Sequence, residues 1–161
     1  MTITQIVLVA IFAAICGASS IIDQFEIYQP LVACTVMGLI LGDVTLGVML
    51  GAQLQVIVIG WMNIGAAVAP DPALASLIAS ILVVYYKEPI AVGFAIAIPL
   101  AVAGQMIGIF ARTLSVGFQH LADSYANKGN LWGIDFCNWA ALTLQMLRVV
   151  IPVLVVALVS A

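Results

Sequence analysis

The chain has 161 residues, of which 65% are hydrophobic and only 7% are charged, and its formal net charge is -3. An ordinary globular domain is about 25% charged, so this composition excludes a water-soluble fold and places the helices in a lipid bilayer. The 4 Lys and Arg residues form no basic patch, which excludes nucleic-acid binding.

The first predicted element is an apolar stretch of about one bilayer's length, from Ile3 to Ile22. No Lys or Arg precedes it, so it lacks the basic region of a signal peptide, and we interpret it as a retained membrane helix. The next apolar run, residues 31–60, is too long for one straight span. Gly42 and Asp43 near its middle predict a break into two helices, the second capped by Asp43 or Thr45.

Glycines recur in these predicted helices at a spacing of four residues. Small residues at this spacing let two membrane helices approach closely. The pattern therefore predicts tight helix packing in several places, at Gly38/Gly42, Gly47/Gly51 and Gly104/Gly108.

Residues 60–72 contain two prolines and two glycines and cannot form one regular helix. Irregular backbone at membrane depth is tolerated only where protein or a cavity satisfies its polar groups. The apolar stretch that follows, residues 73–86, is short for a span but has the length of a re-entrant arm. Its N-terminus would direct a positive dipole end at the irregular segment. Residues 87–89 predict a surface turn.

The C-terminal half is predicted to hold a span at residues 90–111 and a last helix from Asp135 to Ala161. Between them, residues 112–130 change character, with an apolar stripe opposite polar side chains. This pattern predicts an amphipathic helix and turn on the membrane surface. The last helix stops in mid-pattern, so we expect a fragment of a longer protein.

Polar groups inside membrane segments are costly and are functional hypotheses by default. Asn63, Asp71 and Trp61 lie in the irregular segment, and Gln55 lies just before it. Amides and a carboxylate bond hydroxyl groups, and an aromatic ring packs on the apolar side of a sugar. Gln53 and Gln55 point to different helix faces, so only one faces a given cavity. The absence of Lys or Arg near these positions in the sequence suits an uncharged ligand.

Each of these residues also has a structural interpretation. Asp71 could cap the next helix, alone or in addition to binding a ligand. Asn63 could satisfy broken backbone, Trp61 could anchor the chain at the membrane interface, and Gln55 could bond a neighbouring helix. Asp43 is interpreted as structural.

No nucleophile–base pair, metal-ligand spacing or phosphate-cradling loop occurs, so we expect no catalytic residue, cofactor or metal. The three cysteines, Cys16, Cys34 and Cys137, are interpreted as small buried hydrophobes.

One motif is specific enough to suggest a family. The sequence GWMNIGAAVAPD at residues 60–71, followed by ALAS at 73–76, resembles the signature of the enzyme IIC subunit of mannose/fructose/sorbose-family phosphotransferase systems. Further blocks match in order and spacing through essentially the whole chain. They are PLVACT (30–35), GD (42–43), IPLAVAGQ (98–105), RTLSVGFQH (112–120), AD (122–123) and LRVVIP (147–152).

The resemblance implies an all-α polytopic bundle with broken or re-entrant segments and an elevator-type mechanism, with residues 1–161 forming one IIC domain in the bacterial plasma membrane. It also implies pairing with a IID membrane subunit, and higher oligomers of such pairs. A cytoplasmic IIAB protein, phosphorylated on histidine, phosphorylates a mannose- or glucose-like hexose as it enters. Such complexes also serve as receptors for some bacteriocins and phage.

Carried over by the resemblance, Asn63 and Asp71 are the main expected sugar contacts. The position of Gln55 is often Glu in relatives, so the amide here keeps hydrogen bonding and drops the charge. His120 belongs to the matched surface helix and takes no part in phosphoryl transfer, which the partner subunits perform. Family members continue well past residue 161, so the chain resembles the N-terminal three-fifths.

Two other functions compete with hexose uptake. A truncated subunit could serve as a non-transporting membrane scaffold or as part of a bacteriocin receptor. A proton- or ion-coupled carrier could use Asp43 or Asp71 as a relay.

Overall fold

The structure of the protein is a computed structural model, which describes residues 1–22, 25–61 and 67–159. The described part is dominated by α-helices, which confirms the predicted all-α class. In chain order the helices are α1 (Ile3–Ile22), α2 (Pro30–Leu41), α3 (Val44–Val58), α4 (Pro72–Ser80), α5 (Ile90–Asn127) and α6 (Leu131–Val159), with a π-helical turn (Ile81–Tyr85) directly after α4.

Of the helices in the described part, α1, α5 and α6 are long and apolar enough to cross a membrane. The bounds of α1 agree with the predicted first span. Many large apolar side chains on these three helices are exposed, as expected where lipid is the solvent. The predicted polytopic membrane architecture is therefore confirmed.

The predicted break in residues 31–60 occurs at Gly42 and Asp43. Gly42 ends α2 in the left-handed conformation, with φ of 98°, which glycine adopts without steric cost. Asp43 begins α3, because its Oδ1 accepts a hydrogen bond from the backbone N–H of Leu46 at 3.0 Å. Asp43, and not Thr45, is thus the cap. Its Oδ2 lies 3.1 Å from Lys87 Nζ.

Glycines hold α2 and α3 backbone to backbone. A Cβ on Gly47 would lie 2.5 Å from the Cys34 carbonyl oxygen, and one on Gly51 would lie 2.7 Å from the Pro30 carbonyl oxygen. Gly38 faces Gly47 in the same contact. The close approach predicted from glycine spacing is confirmed here, except at Gly42, which ends a helix and has no atom within 4 Å of its hypothetical Cβ.

Helix α4 is the most enclosed element of the described chain, since every residue from Ala73 to Ser80 is buried. Helices α2, α5 and α6 pack around it. Tyr86 follows the π-helical turn, and its backbone N–H donates to the Ile81 carbonyl at 3.2 Å. The exposed residues 87–89 follow as the predicted turn.

The predicted division of the chain at Arg112 does not occur. Helix α5 runs unbroken from Ile90 to Asn127, so residues 112–127 continue the preceding helix. A change from apolar to polar side chains alters what surrounds a helix but breaks no backbone hydrogen bond, which is why no division occurs at Arg112. The position of this amphipathic part on the membrane surface stays a prediction. Gly129, with φ of 66°, completes the turn to α6.

Candidate functional site

Asp71 lies at the N-terminus of α4, where the irregular segment meets the most buried helix. Its Oδ1 accepts hydrogen bonds from the backbone N–H groups of Ala73 at 3.0 Å and Leu74 at 3.3 Å. Its own backbone N–H donates to the Ala101 carbonyl of α5 at 3.1 Å. Asp71 is therefore a helix cap, as one interpretation of the sequence predicted. The cap uses one carboxylate oxygen only.

The other carboxylate oxygen faces Arg148 of α6. Arg148 Nη2 lies 3.4 Å from Asp71 Oδ2, and both side chains are almost fully buried, at 8% and 2% exposure. Nη2 also donates to Ser20 Oγ of α1 at 2.8 Å. A Cβ on Gly108 would lie 2.8 Å from Arg148 Nη1, so the glycine makes room for the guanidinium beside α5.

The ion pair borders a small cavity of about 90 Å³. Gln105 Nε2 of α5 donates to the Val68 carbonyl and thereby ties the irregular segment to α5. Side chains from α1, α5 and α6 therefore meet the segment before α4 at one point. The polar residues that line the cavity are Ser20, Tyr28, Gln29, Asp71, Gln105, Arg112 and Arg148, and Trp61 adds an aromatic ring.

No Lys or Arg lies near Asp71 in the sequence, but the structure brings two arginines beside it. Arg112 and Arg148 both line the cavity with it, although they follow Asp71 in the sequence by more than 40 residues. The spacing along the chain did not reveal this contact, because α5 and α6 fold back against α4. An arginine inside a membrane segment needs an acidic or polar partner. That rule was the signal that could have paired Arg148 with Asp71.

The structure separates Gln55 from Asp71. Gln55 Nε2 donates to Gln29 Oε1 at 3.0 Å, and Gln55 Oε1 accepts from the Leu31 backbone N–H at 3.2 Å. The interpretation of Gln55 as a bond between helices is thus confirmed. Gln55 borders a second cavity, of about 420 Å³, which also reaches Trp61.

Trp61, Tyr28 and Gln29 line both cavities and so lie between the two parts of the predicted site. Asn63, the remaining predicted contact, lies outside the described residues. Gln53 is exposed on α3. Of the four predicted site residues, the structure therefore brings Asp71 and Trp61 to one cavity, and Trp61 and Gln55 to another.

Two larger cavities extend from this point along the α5–α6 hairpin. One of about 350 Å³ adjoins the first cavity through Ser20 and Arg112 and includes Gln145. The next, of about 370 Å³, shares Ser115 and Asn138 with it. A groove with a mainly apolar lining and several polar side chains thus runs from the buried ion pair toward the turn between α5 and α6.

Metal ligands do not cluster in the described part of the chain, where no group of three or more His, Cys, Asp or Glu side chains could hold an ion. Cys16, Cys34 and Cys137 are buried, as predicted. His120 is exposed on α5. The chemistry that the described side chains offer is hydrogen bonding and charge.

These features define the chain as a helical membrane protein whose broken segment carries a buried ion pair beside a polar cavity. A family model described as the sorbose-specific IIC component of a PTS system matches residues 3–161. The chain belongs to this family, which confirms the resemblance seen in the sequence and the membrane location that it implied.

Several relatives are about 50% identical to the chain over the aligned residues. It is 52% identical over 158 residues to the mannose-specific EIIC component of a PTS system of Escherichia coli K12. It is 53% identical over 154 residues to a sorbose-specific EIIC component of Klebsiella pneumoniae, and 49% identical over 160 residues to the fructose permease IIC component of Bacillus subtilis. These alignments cover 96–99% of the chain and 58–60% of the relatives.

The fold is also similar to a solved structure. The cryoEM structure of the mannose transporter ManYZ in complex with Microcin E492 (MceA) contains a chain that matches with a TM-score of 0.93 at 52% identity. The match covers 98% of this chain and 64% of that one. The chain thus spans about three-fifths of the length of the relatives it matches.

Proposed function

We propose that the chain is part of the sugar-translocating membrane subunit of a mannose-family phosphotransferase system. The observation that supports this most directly is the position of Asp71. Within the family motif, a buried carboxylate uses one oxygen to cap α4 and leaves the other beside a polar cavity. Hydroxyl groups of an uncharged hexose are suitable donors to such an oxygen.

The proposal divides the reaction between subunits. This chain binds the hexose and carries it across the membrane with a IID partner, in higher oligomers of IIC–IID pairs. A IIAB phosphocarrier transfers the phosphoryl group. The names of the relatives, which are mannose-, sorbose- and fructose-specific components, support a hexose as the substrate class. The groove between α5 and α6 offers further polar side chains along which a sugar can bind.

The small size of the cavity at Asp71 supports a mechanism in which the binding site moves during transport. The cavity at Asp71 measures about 90 Å³, whereas pockets for small ligands measure roughly 300–1,000 Å³. The adjoining cavity at Ser20 and Arg112 measures about 350 Å³. A hexose therefore reaches Asp71 only when the two cavities join or the surrounding helices separate, as an elevator-type movement of a mobile core would allow.

The test is phosphoenolpyruvate-dependent uptake and phosphorylation of mannose in cells that make the chain together with IID and IIAB partners. We expect Asp71→Asn and Asn63→Ala each to abolish uptake, because each removes a predicted sugar contact, while the complex still assembles. Asp123→Asn, an exposed site on α5, serves as the matched control for Asp71→Asn.

Normal uptake in both variants would refute the site assignment. Uptake driven by a pH gradient without phosphoenolpyruvate would favour an ion-coupled carrier instead. Asp43 is a poor relay for such a carrier, because it lies in a turn, partly exposed, and pairs with Lys87.

A second candidate function is a bacteriocin-receptor component that does not transport. The solved ManYZ complex contains a microcin, and its matched chain has 52% sequence identity to this one. Cells that become sensitive to the microcin but neither take up nor phosphorylate mannose would favour this function. Uptake together with sensitivity would leave transport as the primary role.

A further inference from the structure

The buried ion pair has unused hydrogen-bonding capacity on both sides. Asp71 Oδ2 and Arg148 Nε are buried, and neither has a hydrogen-bond partner among the residues that the structure describes. Buried polar groups are nearly always paired in folded proteins, because an unpaired one loses the free energy of its hydration. These two atoms therefore indicate a missing partner.

The distance between the two side chains shows that they do not satisfy each other. Arg148 Nη2 lies 3.4 Å from Asp71 Oδ2, whereas a charge-assisted hydrogen bond is about 2.7–2.9 Å long. Nη2 donates a hydrogen bond to Ser20 Oγ at 2.8 Å. The attraction between the charges is kept, but the carboxylate oxygen remains free to accept a hydrogen bond.

A single group that satisfies both atoms must donate one hydrogen bond and accept another. Asp71 Oδ2 needs a donor, and Arg148 Nε needs an acceptor, and the residues that carry these atoms line the same cavity. A hydroxyl group has one hydrogen to donate and two lone pairs to accept. An ammonium group cannot accept, and a fully ionised phosphate cannot donate and would be repelled by Asp71.

We infer that Asp71 Oδ2 and Arg148 Nε together bind one hydroxyl group of the transported sugar, with Asp71 as acceptor and Arg148 as donor. This inference rests on the proposed function and adds Arg148 to the site. Ser20 and Gly108 act as positioning residues, because Ser20 holds the guanidinium from α1 and Gly108 leaves it space against α5.

The experiment measures binding of mannose and of its singly deoxygenated and deoxyfluorinated analogues to the detergent-solubilised IIC–IID complex. For the wild type, we expect one deoxy analogue to bind about 10- to 100-fold more weakly than mannose, which matches the loss of hydrogen bonds to charged groups. Its fluoro counterpart should be as poor, because a C–F group cannot donate to Asp71 Oδ2.

Arg148→Lys keeps the charge but removes Nε. We expect this variant to bind mannose about as weakly as it binds that one deoxy analogue, while the ratios for the other analogues stay at wild-type values. Asp71→Asn should lose the same discrimination, and the control Asp123→Asn should keep it. If Arg148 had a purely structural role, Arg148→Lys would weaken the binding of mannose and of every analogue by one common factor. That result would overturn the inference.

The wild-type series also tests the inference if the variants fail to fold. Equal binding of all deoxy analogues would overturn it, because a bound water would then satisfy the two atoms. A common factor for all analogues in Arg148→Lys, or equal binding of all deoxy analogues, would overturn this inference only. The proposed function would stand as long as the wild type takes up mannose. A wild-type complex that neither binds nor takes up mannose would refute the proposed function itself.

Discussion

The α2–α3 hairpin and the α5–α6 hairpin each join two consecutive helices by a short turn, yet they pack differently. Helices α2 and α3 touch through backbone atoms at Gly38, Gly47 and Gly51. Helices α5 and α6 also pack on each other, but two cavities of about 350 and 370 Å³, lined by both polar and apolar side chains, open along their hairpin. The first hairpin has no space for adjustment, whereas the second has space for a ligand or for movement.

The largest expected effect on stability comes from adding one methyl group to the α2–α3 hairpin, the tight hairpin of this comparison. In Gly47→Ala the new Cβ would lie 2.5 Å from the Cys34 carbonyl oxygen and 2.9 Å from Gly38 Cα. Both are backbone atoms, so the helices must separate, and we expect a loss of about 3 kcal/mol in the free energy of unfolding. Thermal or SDS-induced unfolding in detergent measures it.

Gly117→Ala in α5 is the matched control. No atom lies within 4 Å of a Cβ at Gly117, so the alanine should stabilise α5 by roughly 0.5–1 kcal/mol through its helix propensity. Equal effects of the two substitutions would contradict the difference between the hairpins.

A larger side chain sharpens the same comparison. Ala33 of α2 is fully buried, and Ala33→Leu should destabilise the protein by about 1–3 kcal/mol through overpacking. Ala141 of α6 lines both large cavities, and Ala141→Leu should change the free energy of unfolding by no more than about 0.5 kcal/mol. A large loss at Ala141 would show that the groove is closed in the assembled protein.

The smallest expected effect concerns the turn of the tight hairpin. The Leu46 backbone N–H and, next, Lys87 lower the pKa of Asp43 below its usual value. A lowered folded-state pKa contributes stability above the unfolded value, about 3.9, which is lost as the pH falls through the folded value. Asp43→Asn keeps a capping side chain and removes the charge.

We therefore expect the wild type to melt slightly above Asp43→Asn at neutral pH, and this difference to vanish as the pH falls below about 3.9. Melting curves of both proteins between pH 7 and 3 test this. A difference that persists at the acid end would mean that the cap, and not the charge, distinguishes them.

The sequence predicted those features that depend on neighbouring residues. The bounds of α1 follow from hydropathy, and the break at Gly42 and Asp43 follows from turn chemistry. Asp71 after a proline indicated a helix cap as one of its interpretations. Each needs only a short window of chain. Composition predicted the membrane location, and two prolines and two glycines predicted the irregular segment at residues 60–72. The family motif added the IIC family and the expected sugar contacts.

The features that the sequence did not predict are contacts between residues that are distant along the chain. The contact between Asp71 and Arg148 joins α4 to α6, and no local pattern encodes it. Gln55 and Asp71 were grouped as polar residues of membrane segments and by the family resemblance, but the hydrogen bonds of Gln55 to Gln29 and to the Leu31 backbone direct it into a different cavity. Residue type and resemblance were therefore a poor guide to which side chains share one cavity.

The divided use of the Asp71 carboxylate has a consequence for genetic screens at this position. Substitutions such as alanine remove both carboxylate oxygens. A screen then cannot distinguish the loss of the helix cap from the loss of the predicted sugar contact. Asparagine alone keeps the size and a capping oxygen. A saturation library scored first for protein abundance and then for growth on the sugar should single out asparagine as abundant and inactive.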